Sequence, residues 1–368
     1  MNLLSFSKFA WIISAFISQS ALAIPIQDLH PVKTPLMART AVGSTVLSNP
    51  LESFESTYSK QEVQFTLEDG TKIGGLFFKK QNPNSVPLII VNFGALADRW
   101  YNTSRKFICE IVLSGKIDAN ILVVDSVSSA GFYVLNHTLS LGGYDEGQVL
   151  MGVAKSLRAH PLVNFSSLHL MGVSLGGLAT THAMILDAKS HTHYFKSAIN
   201  FSAVLNQKAS TEQVVASFGH PLIGSTGETL GTAGKLVLYA GVPHFNRVLK
   251  ARGVTDFKLK FGHIGDQLYD LFQKRLNEKY QGMSVESYEQ WSTGLTEDVR
   301  LVKVPFMFIH AEDDMVIPYS DFQKFADLEH NNPFVRTLAV KDGGHWGFAA
   351  AYGLDWTLSL VKDMLQAR

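Results

Sequence analysis

The residue best suited to chemistry is Ser174, which stands in the sequence GVSLGG at positions 172–177. An apolar run precedes this motif and a helix-forming run follows it, so the serine is predicted at a strand-to-helix turn. The glycines two positions before and after the serine let the strand and the helix cross closely, and the sharp turn exposes the hydroxyl. N–H groups at the start of the helix then lie beside developing negative charge. The motif predicts a nucleophilic serine.

A serine hydroxyl needs a base to remove its proton, and His345 is the strongest candidate among 13 histidines. It lies in GGHWGF at positions 343–348, between the last predicted strand and the last predicted helix. The glycines allow a tight loop that presents the imidazole. Four other histidines are weaker rivals because of their predicted settings: His310 ends a strand, His182 lies inside a helix, and His191 and His193 lie in a polar loop.

The base needs an acid that orients its ring and stabilises the imidazolium. Glu312, Asp313 and Asp314 all follow a buried strand, so all three are predicted at the same sheet edge as the serine. From the residues alone, the three compete for this role. No pair of histidines has convincing zinc-ligand spacing, and the mechanism requires no metal or cofactor.

This set of residues resembles the α/β-hydrolase superfamily, from about residue 60 onward. Members carry a G-x-S-x-G motif and the chain order serine, acid, histidine. They commonly carry a segment like D-x-V-V-P, and DMVIP at 314–318 matches it, so the resemblance selects Asp314. The string around His345 is similar to G-G-H-x-G-F of the YheT-like esterase branch. The resemblance implies an α/β-hydrolase fold, with a mostly parallel sheet flanked by helices and an inserted helical cap.

The resemblance also implies an oxyanion hole made of two backbone N–H groups. One is expected from Leu175, the residue after the nucleophile. The other is expected from the loop after the third strand, with Ala95 preferred and Gly94 close behind. Many family members have His-Gly in this loop, whereas this chain has Phe93 in place of the histidine. The difference matters little, because the donor is backbone.

Alternating strand and helix signals independently predict a mostly parallel sheet with helices on both faces. Strands are predicted at 63–67, 73–78, 88–93, 121–125, 168–173, 197–204, 304–309 and 335–340. Helices are predicted at 98–114, 144–158, 175–187, 320–326 and 354–366. Residues 206–300 break the rhythm and are predicted to form a helical cap whose aromatic side chains pack onto the sheet and line part of a pocket.

Two further strings follow or begin predicted elements. SVSSAGFY at 126–133 follows a strand, and we interpret it as a candidate lining of the pocket. GGYDEG at 142–147 opens a helix, and its acids suit a helix N-terminus electrostatically.

The N-terminus has the order of a secretory signal peptide. Lys8 precedes an apolar run at 9–16, and Ala-Leu-Ala at 21–23 precedes the expected cleavage site. We therefore expect a signal peptide at 1–23, an irregular arm at 24–60 and the hydrolase domain at 61–368. The protein is then exported and either periplasmic or extracellular, with no stable membrane span after cleavage. Cys109 is the only cysteine, so no internal disulfide forms.

The charge composition bears on which partners the protein binds. Lys+Arg and Asp+Glu both total 32, so the net charge gives no reason to expect nucleic acid as a partner. The leading hypothesis is a serine hydrolase that cleaves a lipid or other apolar acyl ester. Alternatives are acyl transfer to an acceptor other than water, peptide hydrolysis, and a non-catalytic binding protein on the same scaffold. The sequence does not determine the oligomeric state.

Overall fold

The computed structural model describes residues 58–81, 85–100, 114–159, 164–210, 232–314, 316–329, 332–345 and 347–367. The signal peptide at 1–23 and the arm up to residue 57 lie outside these described residues. So does most of the helix predicted at 98–114, including Cys109. These predictions therefore stay predictions.

Eight strands form a single sheet among the described residues. They are β1 (Tyr58–Thr66), β2 (Lys72–Lys80), β3 (Val86–Asn92), β4 (Asn120–Val124), β5 (Phe165–Val173), β6 (Ser197–Phe201), β7 (Phe306–Ala311) and β8 (Val335–Val340). Their order across the sheet is β1-β2-β4-β3-β5-β6-β7-β8. β1 pairs antiparallel with β2, β2 pairs antiparallel with β4, and all other pairs are parallel. This architecture agrees with the predicted fold class.

Helices cover both faces of the sheet. In chain order they are α1 (Ala130–Asn136), α2 (Tyr144–Ala159), α3 (Leu175–Lys189), α4 (Thr232–Ala251), α5 (Ile264–Lys279), α6 (Val285–Gly294), α7 (Tyr319–Glu329), α8 (Phe348–Tyr352) and α9 (Leu354–Gln366). Short 3₁₀ helices occupy Phe261–His263 and Leu295–Leu301. No helix within the described residues is both long and apolar enough to cross a membrane.

The central strands are continuous apolar runs because both of their faces are covered. In β3, Leu88 and Ile90 pack into one hydrophobic cluster, which includes residues of α2 and α3. Ile89 and Val91 point the other way, into a second cluster that includes residues of α9. The outer strand β1 is mostly exposed, as an edge strand is expected to be.

The register of the parallel strands brings the candidate loops together. Asn92 at the end of β3 is opposite Gly172 in β5, so the loop after β3 lies beside the turn that contains Ser174. Phe201 at the end of β6 is opposite Ile309 in β7. The loops after β3, β5, β6 and β7 therefore leave the sheet at the same edge, where sites of open parallel sheets form.

The described segment between β6 and β7 is helical. We call residues 232–301 the helical insertion; it contains α4, α5, α6 and both 3₁₀ helices. No strand occurs in the described part of the segment predicted as a cap, residues 206–210 and 232–300. Several aromatic rings of the insertion pack onto the rest of the chain, including Phe257 against Tyr133 and Trp291 against Tyr144.

Candidate active site

Ser174 occupies the turn between β5 and α3, in a backbone conformation that few non-glycine residues adopt. Its φ is 58° and its ψ is −126°. Such a conformation costs of order 1–3 kcal/mol and persists only where the surrounding structure holds it. Here the Ser174 N–H donates to the Phe201 carbonyl at 3.0 Å, and the Ser174 carbonyl accepts from the N–H groups of Gly177 and Val204. The strain is held from both sides, which is typical of a functional turn.

Two positions of the motif must be glycine because other backbone atoms lie too close to leave room for a side chain. An ideal Cβ on Gly172 would lie 2.6 Å from the Cα of Gly177, because the strand and the helix cross there. A Cβ on Gly176 would overlap the backbone carbonyl of Asn92. The spacing that suggested the turn in the sequence is therefore explained by backbone packing.

Asp314 and His345 lie within hydrogen-bonding distance of each other. The Nδ1 atom of His345 is 3.0 Å from Oδ2 of Asp314, and both side chains are buried. Oδ1 of Asp314 accepts from the N–H groups of Val316 at 2.8 Å and Ile317 at 3.1 Å. Burial alone raises the pKa of Asp314, but His345 above all, together with the Val316 N–H, outweighs it and holds the pKa below its ordinary value. Asp314 is therefore ionised at neutral pH and favours the tautomer of His345 with the proton on Nδ1.

The other two acids of the segment are placed differently. Glu312 and Asp313 are exposed, whereas Asp314 is buried. Oδ1 of Asp313 accepts from the N–H of Gly344 at 2.6 Å, so Asp313 braces the loop that carries His345. Two adjacent carboxylates thus contact the same loop, but Asp314 is the one paired with the imidazole.

The competing histidines have other surroundings. His310 is buried and stacks on Phe322, with Nε2 4.0 Å from Oδ2 of Asp314. Burial lowers the pKa of His310, so it is neutral beside that carboxylate. His182 is buried in α3, where desolvation lowers its pKa to about 3, and its Nε2 is 3.1 Å from Oγ of Ser292. His191 and His193 are exposed in the loop after α3.

The loop after β3, residues 93–97, passes directly beside the candidate nucleophile. An ideal Cβ on Gly94 would lie 2.8 Å from Cβ and 2.9 Å from Oγ of Ser174, and 3.6 Å from the backbone N of Leu175. Ala95 is exposed at the tip of this β3 loop. The N–H of Leu96 donates to Oγ of Ser128 at 3.0 Å and the N–H of Ala97 donates to the Gly94 carbonyl at 3.2 Å, whereas Gly94 and Ala95 stay the candidate donors expected from the sequence. The structure thus brings Leu175 and the β3 loop together around Ser174.

The string at 126–133 supports the β3 loop from behind. Ser126 and Ser128 are buried in the turn after β4, and Ser129 caps α1 by accepting from the N–H of Phe132. The short helix α1 was not predicted, because its glycine, its valine and its two aromatic residues give it little intrinsic preference for a helix. The contact between Leu96 and Ser128 had no sequence signal.

The helical insertion is anchored at the start of α2 by buried charges. Asp145 accepts from Arg275 Nε at 2.5 Å and Nη2 at 3.2 Å, and from Lys279 Nζ at 3.0 Å. Burial raises the pKa of Asp145, but these two cations outweigh it and lower the pKa below its ordinary value. The hydroxyl of Tyr288 donates to the Gly142 carbonyl and accepts from the N–H of Asp145, both at 2.8 Å. Asp145 therefore does more than complement the helix dipole.

A second anchor joins the insertion to the segment that follows the β3 loop. Nε2 of His244 in α4 is 2.9 Å from Oδ1 of Asp98, and both side chains are buried. An ideal Cβ on Gly241 would lie 3.0 Å from Cδ1 of Leu96, so α4 also packs against the loop itself. Sequence reasoning missed this pair, since 146 residues separate its members. Within the described residues, no group of three or more His, Cys, Asp or Glu side chains is placed to hold a metal ion.

The structure was compared with known proteins, and the similarities concern its fold. No family model matches the sequence, and no curated protein matches it. The structure is similar to that of an esterase of Pyrococcus furiosus, Pf2001, with a TM-score of 0.50, 15% sequence identity, and coverage of 88% of this chain and 97% of that chain. It is also similar to 2,6-dihydroxy-pseudo-oxynicotine hydrolase, with a TM-score of 0.50, 14% identity, and coverage of 83% and 67%.

At these identities the likeness concerns the fold and leaves the activity and the YheT-like resemblance to be tested. The strand order, the parallel register and the strained serine turn lead to the same result independently of the comparisons. This chain has the α/β-hydrolase fold.

Proposed function

We propose that this protein is a serine hydrolase that cleaves carboxylic esters. The observation that carries the proposal is the setting of Ser174: a strained strand-to-helix turn, with the β3 loop packed against its hydroxyl. Asp314 and His345 support it, because they are paired at the same edge of the sheet. The combination of this serine turn with a paired aspartate and histidine is the arrangement that nucleophilic catalysis requires.

The proposed reaction has two steps. His345 removes the hydroxyl proton as Ser174 attacks the ester carbonyl, and backbone N–H groups of Leu175 and of Ala95 or Gly94 stabilise the oxyanion. His345 then gives the proton to the leaving alcohol, and an acyl-enzyme remains. Water, activated by the same histidine, releases the acid. Asp314 stays ionised throughout and stabilises the imidazolium.

We propose an apolar acyl group as the preferred substrate part. A small hydrophobic cluster joins the nucleophile turn to the acid loop; its buried members are Leu175, Leu178, Val204 and Ile317. Two of them are neighbours of the reacting groups, since Val204 donates its N–H to the carbonyl of Ser174 and Ile317 donates to Asp314. Apolar side chains beside the reacting groups favour an aliphatic chain over a charged one. With the predicted signal peptide, the site of action is the periplasm or the exterior.

A series of p-nitrophenyl esters of increasing acyl length tests this proposal. The wild type is expected to hydrolyse medium-length esters faster than acetate, and Ser174→Ala is expected to lose the activity. Ser202→Ala is the matched control, because Ser202 is buried at the end of the neighbouring β6 and also has positive φ, at 46°. This control is expected to keep wild-type rates.

Labelling with a fluorophosphonate separates the remaining alternatives. A labelled wild type and an unlabelled Ser174→Ala variant would establish the nucleophile without knowledge of the substrate. A folded wild type that neither reacts with the probe nor hydrolyses any ester would refute the hydrolase and favour a binding protein. Acyl transfer would be detected by adding a second alcohol to the assay. A new ester of that alcohol would form in place of the free acid, while the total rate of substrate consumption stayed the same.

A further inference from the structure

A chain of buried polar groups runs from the β3 loop to helix α2. The N–H of Leu96 donates to Oγ of Ser128 at 3.0 Å, and Oγ of Ser128 lies 3.1 Å from Oγ of Ser126. Between these serines, the N–H of Val127 donates to Oε1 of Glu146 at 3.0 Å. Glu146 thus fixes the turn at residues 126–128 through the Val127 N–H, and this turn fixes the β3 loop through Ser128.

Glu146 is an unusual residue for a purely structural position. Its side chain is buried, and no salt bridge to it is found among the described residues. The neighbouring Asp145 takes both Arg275 and Lys279 instead. Burial raises the pKa of Glu146 to about 7, although the Val127 N–H, the nearby Asn92 amide and the Ser126 hydroxyl favour the charged form. A buried acid without a cation costs stability unless its oxygens accept hydrogen bonds, and here Oε1 accepts the Val127 N–H.

The β3 loop needs support of this kind. Leu96 has a φ of 62°, which a leucine seldom adopts. The loop is closed by a hydrogen bond from the N–H of Ala97 to the carbonyl of Gly94 at 3.2 Å, and the Leu96 N–H is fixed by Ser128. Because Gly94 lies against Ser174, a shift of Leu96 moves the candidate oxyanion donors relative to the nucleophile.

We propose that Glu146 is a positioning residue of the oxyanion hole, which acts through the 126–128 turn and Ser128 to fix the β3 loop beside Ser174. The inference rests on the proposed hydrolase function and adds a residue to it. Glu146 does not touch the substrate. Its task is to accept the Val127 N–H, which a glutamine also does and an alanine does not.

The test compares kcat and KM for the best p-nitrophenyl ester in Glu146→Gln, Glu146→Ala and Ser128→Ala. Loss of one oxyanion donor costs roughly 10²–10³-fold in kcat. Displacement of the loop is expected to cost at least about 10-fold in kcat in Glu146→Ala and Ser128→Ala, with KM within about 3-fold. Glu146→Gln is expected to keep kcat within about 3-fold. Because Glu146 and Ser128 act along one path, the Glu146→Ala/Ser128→Ala double variant should lose little more kcat than the more impaired of the two single variants.

Asp187 provides a matched control. It is also a buried carboxylate whose pKa is raised by burial and which accepts backbone N–H groups, from Tyr194 at 2.7 Å and Phe195 at 3.5 Å. It lies near the end of α3 that is remote from Ser174. Asp187→Asn is therefore expected to alter the stability of the fold but to leave kcat unchanged.

Several outcomes would overturn the inference. A folded Ser128→Ala variant with wild-type kcat would break the proposed path, and so would a glutamine variant that loses as much kcat as the alanine variant. If Glu146→Ala does not fold, Ser128→Ala and Glu146→Gln decide the question. A wild type inactive towards esters and unlabelled by the fluorophosphonate would instead end the proposed function, before any variant is compared.

Discussion

A methyl group added at Gly94 is expected to disable Ser174 without unfolding the protein. The Cβ of Gly94→Ala would lie 2.8 Å from Cβ and 2.9 Å from Oγ of the serine, whereas ordinary van der Waals contacts begin at 3.4 Å. To restore an ordinary contact, the serine or the β3 loop must move by about 0.6 Å. Gly94 is not among the residues with positive φ, so alanine adds no backbone strain of its own.

The size of the effect follows from this displacement. A misplacement of about 1 Å at a reacting group costs roughly 10²-fold in rate. We expect kcat/KM of Gly94→Ala to fall by about 10- to 100-fold, because the nucleophile and the candidate oxyanion donors shift relative to each other. Overpacking by one methyl typically costs about 1–3 kcal/mol in the free energy of unfolding, which a domain of this size tolerates.

The assay pairs ester hydrolysis with the rate of fluorophosphonate labelling, which reports attack by Ser174 directly. Gly294→Ala is the matched control: Gly294 has φ −60° and a Cβ there meets nothing within 4 Å. Its kinetics should equal those of the wild type. A folded Gly94→Ala variant with unchanged hydrolysis and labelling would refute the placement of the β3 loop against the nucleophile.

Three other predictions concern charged groups. Asp314→Asn should lower kcat by roughly 10³-fold or more, whereas Asp313→Asn should keep kcat within about 3-fold, because asparagine can still accept from the Gly344 N–H; equal losses would contradict the assignment. Because the folded pKa of Glu146 is raised from 4.5 to about 7, its stabilising contribution is present below pH 4.5 and is lost as pH rises through 7. Between pH 4.5 and a pH above 7, urea unfolding should show that the free energy of unfolding of the wild type falls by about 3 kcal/mol relative to that of Glu146→Gln. The same pH dependence in both proteins would contradict this prediction. Arg275→Met leaves Asp145 partly unpaired and should lower the free energy of unfolding by about 3 kcal/mol, with part of the loss recovered in the Asp145→Asn double variant; a silent single variant would contradict the anchor.

The sheet was predictable because its strands are apolar on both faces and its turns carry local signals. The bounds predicted for β8 and α9 coincide with those observed. β6 was predicted to continue to residue 204, and this was wrong. The apolar character does continue, but the backbone turns at Ser202, whose φ is 46° and whose N–H donates to the carbonyl of Ile309. Composition carries no record of such a turn.

The candidate site was predictable only where its residues form local motifs. The serine turn and the glycine-flanked histidine are such motifs. The choice between Asp313 and Asp314 was not settled by the residues themselves, because adjacent carboxylates differ only in which way they face. The support of the β3 loop was invisible for another reason: Leu96 and Ser128 are 32 positions apart, and Val127 and Glu146 are 19 apart. Such contacts depend on the finished fold.

Two neighbouring acids at the start of α2, Asp145 and Glu146, connect the helical insertion and the β3 loop to the same helix. Asp145 is held by Arg275 of the helical insertion, while Glu146 holds the turn behind the β3 loop. The insertion also reaches the segment after that loop through His244 and Asp98. The helical insertion and the β3 loop are thus connected at two points, the start of α2 and Asp98. A movement of the insertion is therefore expected to displace the candidate oxyanion donors, so substitutions that loosen the insertion should lower kcat.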